Sequence, residues 1–239
     1  MRNLFVDKLA RLVPFEDPDV AALCGATSRS KEVAAKVDLI REGDRPGPVF
    51  VMIEGWAYRY KVVPDGGRQI VGFMMPGDCC DLHVGLLAEM DHGIQTLTRS
   101  RVATINRTEM DELLDGHPKI AKAMYLSQLI DEGTMRAWIT SMGRRSSIQR
   151  VAHLVCELYL RAKNVGLIVE PVFTLPLSQI QLADALGMTP VHLNRVVKEL
   201  RTTGAMKLSR GSVEVVDPDR LIQIAGFDGN YLHRRQRLR

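Results

Sequence analysis

The stretch Ser178-Gln179-Ile180-Gln181-Leu182-Ala183-Asp184-Ala185-Leu186-Gly187-Met188-Thr189-Pro190-Val191-His192-Leu193-Asn194-Arg195-Val196-Val197-Lys198-Glu199-Leu200 decides how this chain is read. Ser178 followed three residues later by Gln181 is a capping box, which satisfies two free backbone N–H groups at a helix start. Ile180, Leu182, Ala183 and Leu186 then supply the buried positions of a short helix. Gly187 admits the left-handed conformation that ends it, Thr189 caps a second helix, and Pro190 takes that helix's first position. In the second helix Leu193, Val196 or Val197, and Leu200 face inward. Val191, Asn194, Arg195 and Lys198 face out.

Two short helices meeting at a tight turn form a helix-turn-helix, whose second helix lays its outer face in the DNA major groove. Arg195 is the expected base reader, since a guanidinium donates two hydrogen bonds to guanine O6 and N7. Asn194 suits adenine or a phosphate, and Val191 a thymine methyl. Ser178, Gln179, Thr189 and His192 sit near helix starts, where hydroxyl, amide and backbone N–H groups hold phosphates. Lys198 and Pro190 complete the expected double-stranded DNA contact set. Downstream, residues 204–216 alternate apolar and polar on both sides of Arg210-Gly211, which predicts a β-hairpin wing.

Working outward, residues 31–107 break into short apolar runs separated by Glu42-Gly43-Asp44, Pro46-Gly47-Pro48, Glu54-Gly55, Pro64-Asp65-Gly66-Gly67 and Pro76-Gly77-Asp78. This spacing predicts an antiparallel β-roll or jelly roll, with strands over 49–53, 57–63, 68–75, 95–97 and 102–105. Asn106 to Glu109 opens a helix that stops at His117-Pro118. Residues 119–142 read as one helix, roughly 36 Å long at 1.5 Å per residue. Its stripe of Ala123, Leu126, Ile130, Gly133, Ala137 and Thr140 is expected to form a seam with a second copy of the chain. Met135, Trp138 and Met142 form a second stripe that could pack back on the β domain, the alternative being that both stripes are internal core of one chain. Ser146 or Ser147 caps a further helix over 148–163. The expected fold class is α+β, with a β-roll sensor-like domain and its flanking helices over 1–117, a dimerisation helix over 118–143, and a winged helix-turn-helix DNA-binding domain over 144–239.

Charge follows the same division. From residue 144 onward there are 15 Lys/Arg and 8 Asp/Glu, against 17 and 20 in the preceding 143 residues. Excess positive charge on one module fits a polyanion partner. No run of about 18 apolar residues appears and the N-terminus lacks a signal-peptide core, so no membrane association and a cytoplasmic location are expected. The four cysteines, Cys24, Cys79, Cys80 and Cys156, have neither CxxC spacing nor the density of a disulfide scaffold, which predicts reduced thiols.

These elements resemble the Crp/Fnr family of bacterial regulators, over about residues 33–219. The resemblance rests on Leu182-Ala183-Asp184 through Gly187, on Thr189-Pro190-Val191-His192 to Arg195, and on the wing. Glu42-Gly43-Asp44, Glu54-Gly55 and Pro76-Gly77-Asp78 support it. It implies a β-roll, a long dimerisation helix and a winged helix-turn-helix, acting as a homodimer on a palindromic promoter site, with RNA polymerase as a partner if the protein activates. Members that bind cyclic AMP place an Arg-Ser pair where this chain has Met90-Asp91. Glu89 and Asp91 repel a phosphate there, so the resemblance does not extend to cyclic AMP.

Cluster-binding members carry several N-terminal cysteines, whereas only Cys24 precedes Cys79 here, so no iron-sulfur cluster is expected. Haem would need an axial ligand such as His83, His92 or His117; none is singled out, and no cofactor is predicted. Cys79, Cys80, His83, Asp91 and His92 remain the candidate effector or redox pocket, with Cys79-Cys80 a switch only if their thiols are exposed and acidic.

The alternative readings are a small-molecule, haem or redox sensor that switches DNA binding, a ligand-binding protein without DNA activity, and a jelly-roll metalloenzyme. Against the enzyme, the six histidines are scattered singly with no His-x-His pair, and no phosphate loop or nucleophile elbow occurs.

Overall fold

The computed structural model describes residues 2–80, 82, 86–168, 172–209 and 211–233. His83 of the predicted pocket, Arg210 of the wing turn and the basic tail 234–239 lie outside the described residues. The chain divides into two compact units, Met1–Gly66 with Val71–Asp131, and Gly67–Ile70 with Glu132–Arg239.

The first unit is built on two sheets. One has the order β1-β7-β3, from Ser30–Val33, Ser100–Ile105 and Val49–Glu54. The other has the order β2-β6-β4-β5, from Asp38–Ile40, Gly93–Thr96, Ala57–Val62 and Arg68–Met74. The pairs β1·β7, β3·β7, β2·β6 and β4·β6 are antiparallel. The five strands expected from turn spacing are all present within a residue or two. β1 and β2 were not expected: each is too short to show a period, and β2 carries a register shift between Asp38 and Ile40.

Two N-terminal helices, α1 (Leu4–Ala10) and α2 (Asp17–Ala26), also went unread. α1 is held by Asn3, whose Oδ1 accepts from the backbone N–H of Phe5 and Val6. Phe5 and Leu9 of α1 and Leu23 of α2 enter the same apolar cluster as Val51, Met52, Ile94, Val102 and Ile105 from both sheets. Burying each of these large side chains contributes about 1.5–3 kcal/mol. α3 (Arg107–Gly116) starts where expected, with Asn106 Oδ1 accepting from the Glu109 N–H at 2.8 Å.

α4 runs unbroken over Pro118–Arg144, slightly longer than predicted. Its faces differ from the expected ones. Ile120, Ala123 and Met124 are part of the β-domain core, so Ala123 is no seam residue. Gly133 is covered by Tyr231 of the same chain. Small side chains let the chain's own neighbours approach closely, and the sequence pattern does not say which neighbour. Within the second unit Met135 and Met142 are exposed, and Trp138 is buried against the next helix, donating to Glu157. The apolar side chains that α4 leaves exposed are Tyr125, Leu129, Met135, Ile139 and Met142.

In the second unit α5 (Ser147–Asn164) is capped by Ser146, with Gln149 closing the capping box. α6 (Gln179–Leu186), α7 (Pro190–Thr202), β9 (Met206–Ser209), β10 (Ser212–Val215) and α8 (Pro218–Ala225) follow. A short strand not read from the sequence, β8 (Val172–Thr174), pairs antiparallel with β10, which makes the wing part of a three-stranded sheet β8-β10-β9. A single 3-10 turn, Gly229–Leu232, closes the unit. No helix among the described residues is long and apolar enough to cross a membrane.

Candidate nucleic-acid interface

α6 and α7 owe their ends to the residues that announced them. Ser178 Oγ accepts from the Gln181 N–H at 3.2 Å, while Gln181 Oε1 accepts from the Ser178 N–H at 2.9 Å. Leu182, Ala183, Ala185 and Leu186 are buried, but Ile180 is 59% exposed, against expectation. At 100° per residue Ile180 lies opposite the arc holding those four side chains, so its apolar character misled the reading. Gly187 has φ +61° and ψ +45°, a left-handed cap that an L side chain adopts at a cost of about 1–2 kcal/mol. Its N–H and that of Met188 both close on the Ala183 carbonyl, which turns the chain within two residues. Thr189 Oγ1 then accepts from the His192 N–H at 3.2 Å, and Pro190 opens α7.

Leu193, Val196 and Leu200 anchor α7 and are at most 3% exposed. The outer face is open: Val191 is 74% exposed, Arg195 and Lys198 are exposed, and Asn194 is half-buried. Ser178, Gln179, Thr189 and Pro190 are exposed on the same helix pair. Among the described residues the Arg195 guanidinium has no hydrogen-bond or ion-pair partner, so its five N–H donors face solvent. His192 differs from its neighbours: its Nε2 lies 2.8 Å from Ser147 Oγ, which docks α7 onto the start of α5.

The wing hairpin pairs Ser212 with Ser209 and Val213 with Leu208, and Met206, Val213 and Val215 are buried beneath it. Lys207 and Glu214 form an exposed cross-strand ion pair at 3.1 Å.

The described residues assigned to an effector or redox pocket, Cys79, Cys80, Asp91 and His92, lie on two segments of the β domain. Cys79 forms an isolated bridge with Val51 of β3 and its carbonyl accepts from the Arg59 guanidinium of β4, while the Cys80 thiol accepts from the Phe50 N–H. Burial pushes the Cys79 thiol up to about 12, and Cys80 is 1% exposed. Cys79 is half-buried with a thiol far from acidic, and Cys80 is closed off from solvent. The exposed thiol is Cys24 on α2.

Asp91 and His92 lead into β6 of the four-stranded sheet. His92 Nδ1 lies 2.7 Å from Asp91 Oδ1, and this bond holds the Asp91 carboxyl below the usual range. Asp91 therefore presents a negative charge where a cyclic phosphate would need a cation, and Met90 beside it is buried. The described residues do not fit a cyclic nucleotide phosphate. His117 is bound through Nδ1 to Asp19 at 3.0 Å. Among the described residues no group of three or more His, Cys, Asp or Glu is placed to hold a metal ion.

Sequence reasoning missed a buried polar group beneath the interface unit. Glu157 on α5 is fully buried and bound by Trp138 and Tyr231. Its signal was present: Glu157 falls between Val155 and Leu158 on the apolar face of an otherwise regular amphipathic helix.

Comparison with known proteins agrees with this geometry. The model of the cyclic nucleotide-binding domain matches residues 30–117, and that of the Crp-like helix-turn-helix domain matches residues 149–224. The nitrogen fixation regulation protein FixK of Bradyrhizobium diazoefficiens is 27% identical over 187 residues, covering 77% of this chain and 76% of its own length. The transcriptional activator protein FnrL of Cereibacter sphaeroides is 26% identical over 202 residues, covering 80% and 78%. The solved structure of FixK2 from Bradyrhizobium japonicum superposes with a TM-score of 0.74 at 20% identity, over 84% of this chain and 98% of that one, a likeness of fold. With a β domain, a long helix and a winged helix-turn-helix in this order, matched by both domain models, the chain belongs to the Crp/Fnr family of DNA-binding transcription regulators.

Proposed function

We propose that the protein acts in the cytoplasm as a homodimer that binds a two-fold symmetric promoter site through α7, without cyclic AMP. The observation that carries this reading is the exposed outer face of α7, where Arg195 has no hydrogen-bond or ion-pair partner among the described residues. Arg195 reads a guanine, Asn194 an adenine or a phosphate, and Val191 a thymine methyl. Ser178, Gln179, Thr189, Pro190 and Lys198 hold the backbone and fix register. His192, whose ring meets Ser147, contributes by orienting α7 and offers the phosphate its remaining edge.

A second copy is supported by the exposed apolar side chains of α4, Tyr125, Leu129, Met135, Ile139 and Met142, which a single chain leaves in water. Relatives described as transcriptional activators support activation as the outcome, with RNA polymerase as the further partner. Repeated selection of duplexes from a random library by the full-length protein tests the proposal. It should return inverted half-sites centred about 34 Å apart. Recovery of unrelated sequences, or of single half-sites only, would overturn it.

A further inference from the structure

Within the second unit, one carboxylate joins three parts of the chain. Glu157 Oε2 accepts from Trp138 Nε1 of α4 at 3.0 Å and from the Tyr231 hydroxyl of the C-terminal segment at 2.9 Å. Its Oε1 lies 3.5 Å from the Arg161 guanidinium one turn along α5. One turn the other way, His153 is 2% exposed, edge-on to Phe227 with ring centres 5.0 Å apart and stacked on Tyr231 at 6.0 Å. Segment 227–232 is itself tightly formed, since Asp228 caps the 3-10 turn by accepting from the Asn230 N–H at 2.9 Å. On the far side it presses on α4 at Gly133. A Cβ there would lie 3.0 Å from the Tyr231 carbonyl oxygen and 3.4 Å from its Cβ, so only glycine leaves this approach unhindered.

The covalent link that these contacts bypass is short. α4 ends at Arg144 and α5 begins at Ser147, with Ser146 in an extended conformation. Two residues with one extended joint would let α5, and with it α6 and α7, swing about the end of α4. Hydrophobic packing alone restrains such a swing weakly, because it is non-directional. Two hydrogen bonds from different elements to one buried carboxylate are directional, and breaking either leaves the charge-bearing group short of a partner in a dry site.

We propose that segment 227–232 is a strap, keyed on Glu157, that locks the last turns of α4 onto α5 and so fixes the direction in which α7 is presented. Trp138, Glu157 and Tyr231 are then positioning residues for operator recognition: they touch no DNA, but they set the separation of the two recognition helices in a dimer. This inference rests on the DNA-binding reading given above for its consequence, though not for the strap itself.

The test uses the full-length chain with Trp138→Phe/Tyr231→Phe, which deletes both donors and leaves an aromatic ring, smaller at 138, at each position. Tyr231→Phe alone serves as a milder variant should the double one fail to fold, and Glu157→Gln keeps the shared acceptor for both donors but loses the ion pair with Arg161. Amide hydrogen exchange should rise about tenfold across residues 132–144 in the double variant, with α6 and α7 unchanged. Preference for the selected operator over operators with one base pair added or removed between half-sites should fall about fivefold, with affinity for a single half-site unchanged. Tyr231→Phe should move both in the same direction, and Glu157→Gln, which retains the shared acceptor, should move them less than the double variant. Unchanged exchange and spacing preference in the donor-deleted variants would overturn the strap, as would a parallel loss of half-site affinity. If the chain selects no operator at all, the DNA-binding reading fails, and the exchange measurement alone still decides the strap.

Discussion

Lowering the pH should loosen the second unit through one buried imidazole. Burial, reinforced by the nearby Arg145 guanidinium, pushes His153 from 6.5 down to about 4. The protonated ring is the form that the folded state disfavours, so protons bind the unfolded chain first as pH falls. Stability from this residue is therefore fully present above pH 6.5, declines between 6.5 and 4, and is gone below. At about 1.4 kcal/mol per tenfold change in proton affinity, the full loss is about 3 kcal/mol, of which about 2 kcal/mol is gone by pH 5.

Glu157, raised by burial, titrates in the opposite sense and gains stability as pH falls toward 4.5. Asp19, held low by its bond from His117, acts only below 3.8. The comparison must therefore be a difference of differences. Urea unfolding of the full chain at pH 7 and pH 5, followed by Trp138 fluorescence in a Trp56→Phe background, is measured with and without His153→Phe. The wild-type ring should lose about 2 kcal/mol more than the variant between these conditions. Equal losses in both chains would refute the assignment of a neutral buried ring.

Gly187→Ala should destabilise the second unit by about 1–2 kcal/mol, read from the same urea curves, because its φ of +61° is retained by the turn; a neutral effect would mean that the turn re-forms differently. Thr189→Ala removes the acceptor for the His192 N–H and should cost about 1 kcal/mol, while Thr189→Ser should restore most of it. Under native conditions a thiol reagent should modify Cys24 rapidly and Cys79, Cys80 and Cys156 only as the chain unfolds, since burial raises both the Cys79 and Cys156 thiols to about 12. Fast labelling of Cys79 would reopen the case for a redox switch there.

The parts of the molecule that were legible in the sequence are those whose determinants are local. Caps, a left-handed glycine and a proline within one dozen residues define α6 and α7, because each satisfies a backbone group a few residues away. The main β strands were legible because turn chemistry punctuates them. β1, β2 and β8 were not: they are short, and their formation depends on partners distant in the chain, as β8 depends on β10. The faces of α4 were misassigned for a related reason. Periodicity tells which residues share a face, but Gly133 and Trp138 meet partners nearly a hundred and about twenty residues away, respectively, which no helical pattern specifies. Ile180 shows the converse limit, an apolar side chain that its helix leaves 59% exposed.

The account stands or falls on whether the outer face of α7 reads base sequence. Fluorescence anisotropy of the selected operator and of a scrambled duplex, titrated with wild type and Arg195→Ala over a range of salt, measures this directly. Arg195→Ala should weaken operator binding by about 1–3 kcal/mol and relax preference at one base pair in each half-site, leaving the scrambled duplex nearly unaffected. An equal loss on both duplexes, or none on either, would contradict it.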